Sequence, residues 1–244
     1  MISQKEMIYH MTTSFSGKTV LVAGGTGGLG RAVTLAFLKA GANVAVTYRK
    51  REEFDALGPS SQLEGYATDV TDEAAVKVMV DQIIARHGAL NVLVNTVGGY
   101  AGGVKFWDAE AAVFDQMIAL NLKAGYVLCR AVVPTMLARK QGVIINIAAK
   151  SGIDHPAGAA SYSASKAAAI AMIDSLAADL KGSGVRANSI LPSIIDTDAN
   201  RKAMPNADYT RWPKPEEIAD VILYLGSEDG RIIHGASIPV YGNS

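Results

Sequence analysis

Residues 19 to 30 read TVLVAGGTGGLG, and this run decides the fold. Thr19 to Gly24 are β-branched and apolar with a glycine end, which suits a strand buried on both faces of a parallel sheet. Arg31 to Ala40 follow, with Val33, Phe37 and Leu38 at helical spacing and Gly41 as a stop. Strand, glycine turn and helix make the first half of a βαβ unit. Glycines in such a turn permit a tight bend, a close approach of backbone N–H groups to a pyrophosphate, and close packing of helix on strand, while the helix N-terminus adds partial positive charge. Gly24, Gly28, Leu29 and Gly30 are therefore the candidate pyrophosphate-binding residues.

The alternation continues along the chain. Strands are expected at Asn43 to Tyr48, Gly65 to Thr68, Asn91 to Asn95, Val143 to Ile147, Val185 to Leu191 and Ala236 to Val240. Between them, helical spacing covers Asp72 to His87 with Thr71 as N-cap, Asp108 to Leu137, Tyr162 to Lys181 and Glu216 to Leu225. This order predicts an α/β fold: a Rossmann-type doubly wound parallel sheet with helices on both faces, forming one domain over residues 17–244. Residues 1–16 are polar and without period, and are expected to be a disordered leader. Residues 192–215 lack periodicity after the C-terminal end of a strand, which predicts a substrate lid.

Composition narrows the function class. Hydrophobic residues at 49% and charged residues at 19% describe a globular protein with a large interior. Lys+Arg and Asp+Glu both total 23, so nothing points to nucleic acid or an anionic membrane surface as partner. No apolar run in the sequence looks long enough to span a bilayer and no signal peptide is evident, which predicts a cytoplasmic location. A single cysteine, Cys129, excludes an intrachain disulfide, its apolar surroundings predict an inert buried thiol, and no pair of histidines has metal-binding spacing, so no metal is expected.

Chemistry concentrates in residues 145–166, INIAAKSGIDHPAGAASYSASK. Tyr162 and Lys166 lie four apart where a helix begins, hence on one face. A lysine ammonium beside a phenol favours the phenolate and lowers its pKa from about 10, which makes Tyr162 a candidate acid/base. At the end of the second strand the acid that would hold ribose hydroxyls is replaced by Tyr48-Arg49-Lys50-Arg51. Basic residues there suit a 2′-phosphate, so NADP(H) is expected over NAD(H), with Arg49 as a contact.

Several of these residues, in this order, resemble the short-chain dehydrogenase/reductase family. Residues 23–30 are similar to its Thr-Gly-x-x-x-Gly-x-Gly loop, with Ala23 in place of Thr. Asp69-Val70 resembles the pair that contacts adenine, and Asn95-Thr96-Val97-Gly98 resembles Asn-Asn-Ala-Gly. Asn121 matches the helix asparagine that helps hold a water of the proton relay. Tyr162-x-x-x-Lys166 matches the catalytic pair, and Pro192 to Thr197, with Ile195 and Thr197 as contacts, resembles the segment that touches the nicotinamide carboxamide. The resemblance implies hydride transfer between nicotinamide and a carbonyl or hydroxyl. Tyr162 would be the acid/base, and Lys166 would bind the nicotinamide ribose and lower the Tyr162 pKa. It also implies a serine thirteen residues before the tyrosine, where this chain has Ala149; Ser151 is the nearby substitute.

A narrower match explains that gap. Gly98 to Gly103, Ala149-Lys150, Asp196-Thr197, Asn200 to Tyr209 and Trp212 resemble dihydropteridine reductases, which also have the Tyr and Lys without the serine. That implies a conjugated or imine-like substrate such as a quinonoid dihydropteridine. Tyr100, between glycine pairs, is the candidate substrate contact, with Phe106 near it, while Trp107 and Trp212 are expected to anchor their loops. The alternatives are a 3-oxoacyl or ketone reductase using Ser151 or a water, and a non-catalytic NADP(H) sensor. Apolar residues on more than one face of the Asp108 and Tyr162 helices predict a homodimer or homotetramer.

Overall fold

The computed structural model describes residues 14–244. Among them, seven strands form one parallel sheet: β1 (Thr19–Ala23), β2 (Asn43–Thr47), β3 (Leu63–Tyr66), β4 (Val92–Asn95), β5 (Gly142–Ile147), β6 (Val185–Pro192) and β7 (Ser237–Val240). Their order across the sheet is β3-β2-β1-β4-β5-β6-β7. The chain runs outward from β1 to β3 and then returns to place β4 on the other side of β1, so the strand order reverses between β1 and β4. Register follows the apolar pattern: Leu21 sits beside Ala45 on one side and Leu93 on the other.

Alternate residues of each strand point to opposite faces, and both faces are apolar. On one face Leu21, Ala45, Leu93 and Ile144 pack against α3 (Glu73–His87), α5 (Ala124–Arg139) and α7 (Ala160–Asp179). On the other, Val20, Val44, Val94 and Ile145 pack against α1 (Gly28–Lys39) and α9 (Pro215–Gly226). Short helices α2 (Arg51–Asp55), α4 (Ala111–Ile118), α6 (Ser151–Asp154) and α8 (Asp198–Ala203) complete the set.

Several expectations need correction. The cap of α3 is Asp72, which accepts from the Ala74 and Ala75 N–H groups, rather than Thr71, whose hydroxyl is turned toward Asp69. The third strand lies at 63–66, two residues early, because Asp69 and Thr71 close a turn immediately after it. The leader cannot extend to residue 16: Phe15 is buried edge-on against Phe37 at 4.8 Å, and its N–H donates to Ala40. Residues 1–13 lie outside the described residues. Finally, Ala111–Arg139 is a continuous helical stretch of 29 residues, long and apolar enough to cross a bilayer, contrary to the sequence expectation. Its apolarity serves the core, since Val127, Leu128, Val132 and Met136 are buried against the sheet and α3.

Candidate active site

At the β1 to α1 junction the glycines make the tight turn and close packing that the spacing predicts. Gly24 sits at φ +75°, and a Cβ on Gly30 would collide with the Gly24 carbonyl. Thr47 Oγ1 accepts from the Gly24 N–H at 2.8 Å, and Thr96 Oγ1 donates to the Ala23 carbonyl at 2.7 Å, so β2 and the loop after β4 brace the turn. Neither threonine is distinguishable in sequence from an ordinary β-branched residue. The first turn of α1 has no side-chain cap, which leaves its backbone donors facing outward over side-chain-free backbone. These residues therefore fit a dinucleotide, whose pyrophosphate Gly24, Gly28, Leu29 and Gly30 could hold.

The strand order reverses beside this turn, and the other candidates gather at the same strand ends. Asn95 is buried, with Nδ2 donating to Asn146 at 2.8 Å and Oδ1 accepting from Val97, which pins the Val97 to Gly99 loop. Asn121 lies in a π-helical turn, 119–123, between α4 and α5. Its side chain bonds both the N–H and the carbonyl of Gly99 and reaches Ser165 Oγ at 3.0 Å; Ser165 in turn donates to the Tyr162 carbonyl. The Asn121 amide thus ties the glycine loop to α7.

Tyr162 and Lys166 share a face of α7, but their electrostatics differ from the expectation. Lys166 is buried and donates from Nζ to the Ile147 carbonyl at 2.9 Å. Burial brings its pKa down to about 8. Burial pushes the Tyr162 hydroxyl up to about 12, and the neighbouring Tyr100 pushes the same way. Lys166 thus holds one hydrogen bond to β5 and keeps two donors, while burial of Tyr162, with Tyr100 beside it, favours the neutral phenol. A phenol in this state is a proton donor. Tyr100 stands edge-on to Tyr162 with ring centroids 4.9 Å apart and is largely exposed above it.

Ala149 is buried at the β5 end, where it offers no polar side-chain atom. Ser151 opens α6 and, among the described residues, makes no side-chain hydrogen bond.

At the adenosine end, Asp69 accepts from the Thr71 N–H and hydroxyl, which hold its carboxyl below the usual range, with Arg49 nearby adding to the effect; Val70 beside it is buried. Arg49 is exposed and makes no salt bridge among the described residues, whereas Arg51 pairs with Asp55 at 2.9 Å.

The segment after β6 is ordered by its own side chains. Thr197 caps α8, Asn200 Nδ2 donates to the Ile195 carbonyl at 2.8 Å, and Arg201 pairs with Asp196. Tyr209 stacks on Arg201 and packs beside the buried Trp212. Thr197 also meets the glycine turn, since a Cβ on Gly28 would approach its Cγ2 to 2.9 Å. Trp212 anchors its loop as expected. Trp107 does not: it is 78% exposed, like Phe106 at 76%.

The short chain dehydrogenase family model matches residues 18–208. The chain belongs to the short-chain dehydrogenase/reductase family. Within that family it is 32% identical over 239 residues, covering 93% of this chain and 97% of the relative, to a 3-oxoacyl-[acyl-carrier-protein] reductase of Thermotoga maritima. It is 31% identical to a meso-2,3-butanediol dehydrogenase of Serratia marcescens, covering 94% of this chain and 95% of that one. Among solved structures, ElxO with NADP bound superposes with a TM-score of 0.86 at 26% identity, covering 92% of this chain and 97% of ElxO. This family member is accordingly an NAD(P)-dependent oxidoreductase with a seven-stranded Rossmann-type sheet.

Proposed function

We propose that the chain is an NADP(H)-favouring reductase acting on a small conjugated or imine-like ring, such as a quinonoid dihydropteridine. The observation that carries this reading is the conjunction at one strand end of a protonated Tyr162 with a side-chain-poor Ala149. A ketone develops oxyanion character as it accepts hydride, and losing one donor to that charge costs about 2.7–4 kcal/mol. A delocalised ring spreads the charge over its own atoms and mainly needs a proton delivered, which the Tyr162 hydroxyl provides. The hydride comes from the nicotinamide of the bound cofactor. Gly24, Gly28, Leu29 and Gly30 would hold its pyrophosphate, Asp69, Val70 and Asn95 the adenine side, and Ile195, Thr197 and Lys166 the nicotinamide side. Tyr100 offers a ring face beside Tyr162 for a planar substrate, and residues 192–215 act as the lid. Arg49 favours NADP(H).

A carbonyl reductase is the second reading, favoured by the similarity to 3-oxoacyl-[acyl-carrier-protein] reductase and by the uncommitted Ser151 hydroxyl. NADPH oxidation with quinonoid dihydropterin beside a panel of ketones separates the two, with Tyr162→Phe as control. Turnover of ketones alone removes the ring reading, and tight NADPH binding without turnover of either class leaves a sensor. Exposed Phe114, Tyr126 and Leu137 on α4 and α5 are consistent with burial between subunits in a cytoplasmic homodimer or homotetramer, which sedimentation would test.

A further inference from the structure

The segment after β7, Tyr241 to Ser244, runs back across both ends of residues 192–215. At the start of that stretch, Ser193 Oγ donates to the Tyr241 carbonyl at 2.7 Å and accepts from Ser244 Oγ at 2.8 Å, so one half-buried hydroxyl holds two points of the segment. At the far end, the Asn243 N–H donates to the Arg211 carbonyl at 2.9 Å, and Arg211 Nε donates to the Asn243 carbonyl at 3.1 Å. Gly242, at φ +60°, permits this approach: a Cβ there would stand 2.9 Å from the Arg211 carbonyl oxygen and 3.0 Å from the Pro213 nitrogen. The two ends also meet directly, since the Asp196 N–H donates to the Pro213 carbonyl at 3.0 Å. The strand end that carries Ala149 leans on the same segment. Its next residue, Lys150, donates its N–H to the Pro192 carbonyl at 2.8 Å and places Nζ 5.1 Å from the centre of the Tyr241 ring.

We propose that Tyr241 to Ser244 clasps the base of the 192–215 stretch, with Ser193 as the positioning residue that sets its resting place over the strand ends. This rests on the reading of residues 192–215 as a lid. A lid that only folds on itself, through the Asp196 to Arg201 pair and the Thr197 cap, keeps its shape yet is free to swing about its two attachments. Here both attachments are held by a segment that leaves the edge strand β7, so swinging requires the Ser193 and Arg211 bonds to break together. Most of these are neutral hydrogen bonds of modest net strength, which suits a hinge that opens and recloses.

Amide hydrogen exchange on the purified full chain, resolved by peptide, tests this. Ser193→Ala removes both bonds of its hydroxyl and is expected to speed exchange over residues 194–200 and 209–213 about tenfold, with the strands of the sheet unchanged. Ser193→Thr keeps the hydroxyl and restores slow exchange. Gly242→Ala, which forces the Arg211 carbonyl away, loosens 209–213 by a second route. Ser183→Ala removes a hydroxyl bonded to the Leu180 carbonyl at the opposite end of β6, and is expected to change exchange over 194–213 by less than about twofold. Unchanged exchange in both Ser193→Ala and Gly242→Ala, or an equal change in Ser183→Ala, overturns the proposal. The lid reading is decided separately, in the wild type: it fails if saturating NADPH leaves exchange over 194–213 as it is, whatever the variants show.

Discussion

Lys166 carries its proton into the core at a cost that can be measured without any substrate. Its ordinary pKa of 10.5 describes the unfolded chain, and burial brings the folded value down to about 8. Below pH 8 both states hold the proton and the penalty is complete. Between pH 8 and 10.5 the unfolded state binds more protons than the folded one, so this group makes stability rise with pH. At 1.36 kcal/mol per pH unit the gap amounts to about 3 kcal/mol. Cys129, also buried and pushed up to about 12, acts oppositely from about pH 9 upward, and so do Tyr66 and Tyr162 from about pH 10. The clean observable is thus the difference between two proteins. Urea unfolding of the cofactor-free wild type and Lys166→Met, at intervals from about pH 7 to pH 10, cancels the thiol and phenols common to both. The stability of wild type minus that of Lys166→Met is expected to climb by about 2–3 kcal/mol over this range. Parallel curves would refute the burial argument.

Other substitutions probe the remaining parts of the site. Ala149→Ser adds one oxygen where the family's serine stands, and is expected to raise kcat/KM for simple ketones by about a hundredfold while leaving ring reduction within about threefold. Gly30→Ala drives a Cβ into the Gly24 carbonyl, so it should lower apoprotein stability by about 1–3 kcal/mol and abolish NADPH binding, measured by denaturation and titration. Arg201→Gln unpairs Asp196, whose side chain is largely covered, and removes the Tyr209 stack, so it should raise KM severalfold and lower the melting temperature by a few degrees.

The fold was legible because its signals are local. Thr19 to Ala23 is buried at every position, which is why the strand reads as an unbroken apolar run instead of an alternation. The glycine turn was legible for the same reason, since the collision between a Gly30 Cβ and the Gly24 carbonyl is a matter of residues six apart. What escaped depends on contacts between distant residues. Thr47 and Thr96 brace the turn from other strands, and nothing in their own neighbourhoods marks them. The hydrogen bond that Thr26 donates to Glu53 spans 27 residues, and neither residue's neighbourhood announces it. The same limit hid part of the surroundings of Lys166: spacing on α7 places it near Tyr162, but only the strand end of β5 reveals that the Ile147 carbonyl accepts one of its hydrogen bonds.

The proposed lid at residues 192–215 poses the harder question of what a sequence resemblance transfers. Asp196, Asn200, Arg201, Tyr209 and Trp212 carry most of the likeness to dihydropteridine reductases, and each is occupied within the lid itself. Asp196 holds Arg201, Asn200 holds the Ile195 carbonyl, and Tyr209 lies between Arg201 and Trp212. Such residues specify the shape of a loop. They would be required by any substrate that needs this lid, so their match supports a shared architecture more strongly than a shared ligand. The proposed function looks for substrate choice elsewhere, at Tyr100, which is exposed beside Tyr162, and at Ala149 at the end of β5, which withholds a donor. Under the proposed function both suit a flat ring that manages its own charge. The two enzyme readings consequently differ at Ala149 and Ser151 far more than at the lid, and exchanging residues there is the direct way to move the chain from one to the other.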